Sequence, residues 1–150
     1  MPHPLDKIVQ ISGTSGLHRV LTTSKQGYLL ESLETTPRRW HAPAQSKVAA
    51  LAEIAIYTQE DQVPLWDVFR NLHQMDMTES AITEAVAGED TLVALFKQAL
   101  PEYDADRVYV SDMRKALRWF LALQGRVDFN ASLDPEGQEA AGAVGPGLAR

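Results

Sequence analysis

There is no cysteine in the 150 residues of this chain. That removes disulfides, thiol nucleophiles and every zinc site built on thiolates, and it suits a reducing compartment. Long apolar runs are missing too: Val48 to Ala52 is as long as any, far below the roughly 18 residues that suggest a membrane helix. The N-terminal MPHPLDKI carries two prolines and an acid where a secretory signal needs a basic start and an apolar run. Cytoplasmic residence without a membrane partner is therefore expected. Paired histidines are also lacking, since His3, His18, His41 and His73 lie far apart, so no metal site is expected.

What is present describes an ordinary globular chain. Hydrophobic residues make up 45% and charged residues 23%, which argues against a disordered or fibrous chain. The length fits one domain or two small ones, enough to hide roughly two thirds of the unfolded surface. The net charge of −6 is unevenly spread. Residues 76–106 hold one base against eight acids, whereas 107–126 hold five bases against one acid. Neighbouring blocks of opposite sign can neutralise each other across a fold, so the local basicity need not imply a polyanionic ligand.

The first half is punctuated like a small β-structure. Strands are predicted at 17–23, 28–34, 38–42 and 51–57, with a short strand or helical turn at KIVQI before them. The SKQG turn uses Gly27, which tolerates a positive φ. The alternation is imperfect, as in strands that curl into a small barrel. Beyond TQED the period changes: Val63, Leu65, Val68, Phe69 and Leu72 form a helical stripe led by Pro64. A connection over 74–78 leads to a second, helical unit in which Thr78 is a candidate N-cap facing Ala81. Pro101 stops one helix, Ser111 is a candidate cap for a last helix over 112–124, and Gly125 ends it. The expected division is a barrel domain over 1–74, a helical domain over 78–127, and a flexible tail over 128–150 that is rich in Ala, Gly, Pro and acid.

Chemical signals are weak. SGTSG resembles a phosphate loop, but no Gly-Lys-Ser/Thr and helix follow it, and position 17 is leucine where a nucleophile elbow needs glycine. EYDAD supplies Glu102, Asp104 and Asp106 without the glycine and terminal glutamate of a calcium loop; a solvated loop pairing with Arg107 or Lys115 is the plainer reading. RRWH puts Arg38, Arg39 and Trp40 on a predicted strand, where such groups contact phosphates and stack on bases, or guard an edge strand with Trp40 packed inward. In RVYVSDMRKALRWF, Met113, Ala116, Leu117, Phe120 and Leu121 share one helix face and Arg114, Lys115 and Arg118 the other. Burying the four large apolar groups is worth about 6 to 10 kcal/mol of gross transfer energy, so the core sets the helix orientation and the bases stay wet. Trp119 falls at the margin between the faces.

The segments KIVQISGTSGLHRVL, GYLLESL, IAIYTQEDQVPLWDVF and LPEYDADRVYVSDMRKALRWF together resemble an uncharacterised bacterial family found chiefly in Bacteroidetes-like lineages, domain of unknown function family 5606, with a helical companion domain; the likeness covers most of residues 5–123. The resemblance implies an α+β chain in which a small SH3-like β-barrel precedes a helical unit, in a cytoplasmic protein. It brings no activity, cofactor or catalytic residue. The expected function is thus a non-enzymatic protein-interaction or adaptor module, with no cofactor, whose exposed groups include Trp40, Trp66, Tyr103, Tyr109 and Trp119. The candidate surface comprises Arg38, Arg39, Trp40, Arg114, Lys115, Arg118 and Trp119. The alternative is RNA or single-stranded nucleic-acid binding through Arg38, Arg39 and Trp40, joined by Arg19 and Lys25. An enzyme with His18 or His41 beside a carboxylate is the third class.

Overall fold

β-branched and leucine-rich runs near the N-terminus pair in antiparallel order, and the helical stripes that follow pack beneath them. The computed structural model describes residues 4–14 and 16–129. Within them seven strands precede four α-helices: β1 (Ile8–Ile11), β2 (His18–Ser24), β3 (Gly27–Ser32), β4 (Arg39–Pro43), β5 (Val48–Ala50), β6 (Ala55–Tyr57), β7 (Gln62–Pro64), α1 (Leu65–Gln74), α2 (Glu79–Ala87), α3 (Glu89–Ala99) and α4 (Val110–Ala122). Strands β1 to β5 form one antiparallel sheet in the order β4-β3-β2-β1-β5, and β6 pairs with β7 in a separate hairpin.

One sheet face buries Val9, Ile11, Leu30 and Ala42 against Val20, Tyr28, Trp40 and Val48, all drawn from the five strands themselves. The strands therefore curl over their own side chains, helped by a register shift between Val20 and Thr22. Gly27, at φ +143°, lets β4 approach so closely that a Cβ there would run into the Ala42 carbonyl. The sheet stays open, with β4 and β5 as its edges, where the sequence suggested a small barrel. β5 has only three residues before the chain tightens into a 3-10 turn at Leu51–Glu53. That turn also breaks the strand expected over 51–57, because Leu51 and Ile54 are both buried at a spacing that an extended chain puts on opposite faces.

A larger core runs from Leu5, Ile8 and Leu17 through Phe69 on α1 to Phe96 on α3 and Leu117 and Phe120 on α4. The 100–109 loop is tied to the β6 end: Gln59 N–H donates to Glu102 O, and Asp104 N–H to Tyr57 O, each at 3.0 Å. Arg107 lies 4.0 Å over the Tyr57 ring and pairs with Asp104 at 2.7 Å.

The last helix turns as its periodicity dictates. Met113, Ala116, Leu117 and Phe120 are buried, whereas Lys115 and Arg118 are exposed. It begins at Val110 rather than after Ser111: the buried Asp112 carboxylate reaches back to accept from Tyr109 N–H at 3.0 Å, which supplies the cap that Ser111 was expected to give. Thr78 does cap α2, accepting from Ala81 N–H at 3.1 Å. Two aromatics expected on the surface are core residues: Trp66 is fully buried and Trp119 is 6% exposed. The expected tail also needs correction at its start, because Phe129 is 4% exposed and sits among Phe120, Trp66, Phe69 and His73. The rest of that tail, 130–150, lies outside the described residues. Among the described residues no helix is long and apolar enough to cross a membrane.

Candidate functional site

The SGTSG segment forms the β1–β2 loop. Gly13 and Gly16 adopt φ +84° and +80° with open space where a Cβ would be, so glycine is needed for backbone conformation rather than for room. The loop reverses the chain and leaves Thr14, Gly16 and Leu17 between two clefts. The larger, about 520 Å³, is walled by His18 at the start of β2, Ser32, Leu33 and Glu34 at the end of β3, and Arg38, Arg39 and Trp40 at the start of β4. The smaller, about 300 Å³, lies between the loop and α4 and includes Gln10, Lys115, Arg118 and Trp119. Thr14, Gly16, Leu17 and Ala122 line both, so the two adjoin.

Cross-strand pairing of His18 with Ser32 places them side by side. The Ser32 hydroxyl accepts from Arg38 N–H at 2.9 Å and also bonds Glu34, which holds that carboxyl below its usual range with help from the Arg38 charge. His18 is 4% exposed, meets Trp40 edge-on at 5.4 Å, and its buried Nδ1 has no hydrogen-bond partner. Burial pushes the imidazole pKa down; the Glu34 charge opposes this and the Arg38 charge adds to it. His18 thus lines a cleft near a carboxylate, but its orphaned nitrogen makes no bond to Ser32 or Glu34 of the kind a nucleophile–base pair requires. His41 is exposed on edge strand β4.

Six of the seven residues of the candidate surface line these clefts. Arg38 and Arg39 do so with their charges engaged, by Glu34 at 3.4 Å and Glu31 at 3.2 Å. Trp40 is half-buried against the inner sheet face, as an edge strand with an inward Trp would have it. Lys115 and Arg118 are exposed and make no ion pair among the described residues. The acidic block at 76–106 therefore does not neutralise them; its one described pair with the basic block is Asp104 with Arg107. Trp119 lines the smaller cleft from a buried position. Arg114 departs from the group, since its Nε points to the end of α2 and donates to Val86 O at 3.5 Å. Its α4 position faces a neighbouring helix, which the single-helix pattern cannot show.

His18, Ser32, Glu34 and Thr14 were not grouped by sequence reasoning; only strand register joins them. A third cleft, about 690 Å³, lies along α1 with Asp61, Asp67, Arg70 and Glu102 in its walls, and burial raises the Asp67 carboxyl pKa against the pull of Arg70. Among the described residues no group of three His, Asp or Glu side chains is placed to hold a metal ion.

Comparison with known proteins adds kinship without chemistry. Two family models match, Domain of unknown function (DUF5606) over residues 5–51 and Domain of unknown function (DUF6852) over residues 54–123. They meet at the turn that follows β5. A solution NMR structure from Bacteroides vulgatus is 32% identical, covering 83% of this chain and 90% of its own, with a TM-score of 0.65. Among curated proteins nothing matches the chain.

Proposed function

For a chain that belongs to the family in which DUF5606 is followed by DUF6852, we propose a non-catalytic role as a protein-interaction or adaptor module that holds a segment of another protein in the two adjoining clefts. The observation that carries this reading is convergence: Thr14, residues 16–18, 32–34, 38–40 and one side of α4 over 115–122, far apart in sequence, wall two adjoining clefts. Their lining sets apolar Leu17, Leu33, Trp40 and Ala122 among a larger number of polar and charged side chains, which suits a ligand that is itself partly polar, such as a peptide segment. The Ser32 hydroxyl is committed to Arg38 and Glu34, which argues against a nucleophile activated by His18. We read the curled sheet as an SH3-like barrel left open between β4 and β5, and place the protein in the cytoplasm on its cysteine-free composition and its family resemblance. No cofactor is invoked.

A photocrosslinking residue at position 38 or 118, in cells that make the protein, should trap a discrete protein adduct, while one at the exposed position 84 on α2 should not. Absence of a protein adduct from both cleft positions overturns the reading.

Arg38, Arg39 and Trp40 on one cleft wall favour a second reading, RNA or single-stranded nucleic-acid binding. Against it stand the carboxylates already engaging both arginines and the net charge of −6. Such binding should weaken steeply with salt and with loss of both arginines. No binding at low salt, or indifference to both substitutions, removes it.

A further inference from the structure

We propose that the segment held in these clefts is an extended peptide with a defined charge polarity: acidic side chains against Lys115 and Arg118, followed by an uncharged side chain that enters the larger cleft beside Leu33 and Trp40. The proposal rests on the binding-module reading above.

Three observations lead to it. Lys115 and Arg118 stand three residues apart on α4, so their charges share one side of the helix and repel each other. Neither has a carboxylate within ion-pair reach among the described residues, and no acid lines the smaller cleft beside them. An anion between them relieves the repulsion. Second, the wall of the larger cleft offers apolar Leu33 and Trp40 beside His18, whose unpartnered Nδ1 is itself buried out of a ligand's reach, so a neutral side chain suits that end.

Third, the charge pattern has direction. At the β4 rim Glu31 and Glu34 face Arg39 and Arg38, so added acid is not favoured there, whereas the α4 rim carries cations alone. A ligand charged at one end matches this; the evenly spaced phosphates of a nucleic acid do not. The adjoining clefts are sized for side chains from a single strand of peptide rather than for a folded domain.

The test uses the full chain and a phage-displayed library of random dodecapeptides, with the most enriched peptide then synthesised and titrated. Selected sequences should be enriched in Asp and Glu near one end. The double variant Lys115→Glu/Arg118→Glu should weaken binding about tenfold or more without moving the urea midpoint, since both positions are exposed. Amide shifts should centre on residues 16–18 and 115–122. Peptides that bind the clefts without acidic enrichment, or that ignore the double variant, overturn the charge polarity while leaving the binding module standing. If no peptide is selected and oligouridylate instead shifts the cleft amides, both proposals fail.

Discussion

Replacing Phe129 with alanine tests whether the segment that follows α4 packs into the core. The ring is enclosed by Phe120 at 4.9 Å, His73 at 5.4 Å, Trp66 at 5.7 Å and Phe69 at 6.2 Å between centroids, and the residue is 4% exposed. Truncating a buried Phe costs about 3 to 5 kcal/mol, combining lost transfer energy with the cavity left behind. Phe129 lies beyond α4 and outside any helix, where the backbone can relax more than in mid-helix, so the lower end, about 3 kcal/mol, is expected. With a urea m-value of about 2 kcal/mol/M the midpoint falls by roughly 1.5 M. Phe129→Leu should recover more than half of the loss. Tyr109→Ala, at a side chain 58% exposed, should cost no more than about 0.5 kcal/mol and serves as the reference. If Phe129→Ala unfolds at the wild-type midpoint while Phe120→Ala is strongly destabilised, the aromatic cluster is not closed by residue 129 and the tail begins where composition placed it.

Three further outcomes follow from particular contacts. Asp112→Ala removes the carboxylate that accepts from Tyr109 N–H and should cost about 1 kcal/mol in urea unfolding; Ser111→Ala should cost much less, and the reverse order would restore Ser111 as the cap. Gly27→Ala drives a Cβ into the Ala42 carbonyl at φ +143°, so it should destabilise by about 2 kcal/mol or more and disturb the β3–β4 amide resonances; a wild-type spectrum would contradict the close approach of β4. Burial holds the His18 imidazole below the ordinary histidine value of 6.5, with Arg38 assisting and Glu34 opposing. The unfolded chain therefore binds the proton more readily, and stability contributed by neutral His18 is present above pH 6.5 and lost as pH falls through the lower folded value. Urea midpoints of wild type and His18→Gln should diverge in slope below pH 6.5, and parallel profiles would remove the burial argument.

Much of the architecture was legible because period and burial travel together. The spacing of Met113, Ala116, Leu117 and Phe120 oriented α4 from the sequence alone, since burying those groups outweighs any preference of its cations. Thr78 was legible as a cap because its partner, Ala81, lies within one helical turn. Errors arose wherever a distant segment decided the outcome. Leu51 and Ile54 read as strand but turn inward together against the core; Trp66 and Trp119 read as surface until neighbouring elements covered them; Phe129 sits in a stretch whose composition resembles a tail, and only the waiting aromatic pocket buries it.

The candidate site shows the same division. RRWH and the basic face of α4 stood out as unusual compositions, yet nothing in either segment says that they wall adjoining clefts, or that Arg114 turns away toward Val86. Local sequence determined which faces are apolar, where charge accumulates and where glycine must bend the chain, because those depend on neighbours within a few residues. Tertiary structure alone decided which cations kept their charge unpaired and which histidine lost its hydrogen-bond partner, because both depend on what strand register and helix packing bring within a few ångströms across the fold.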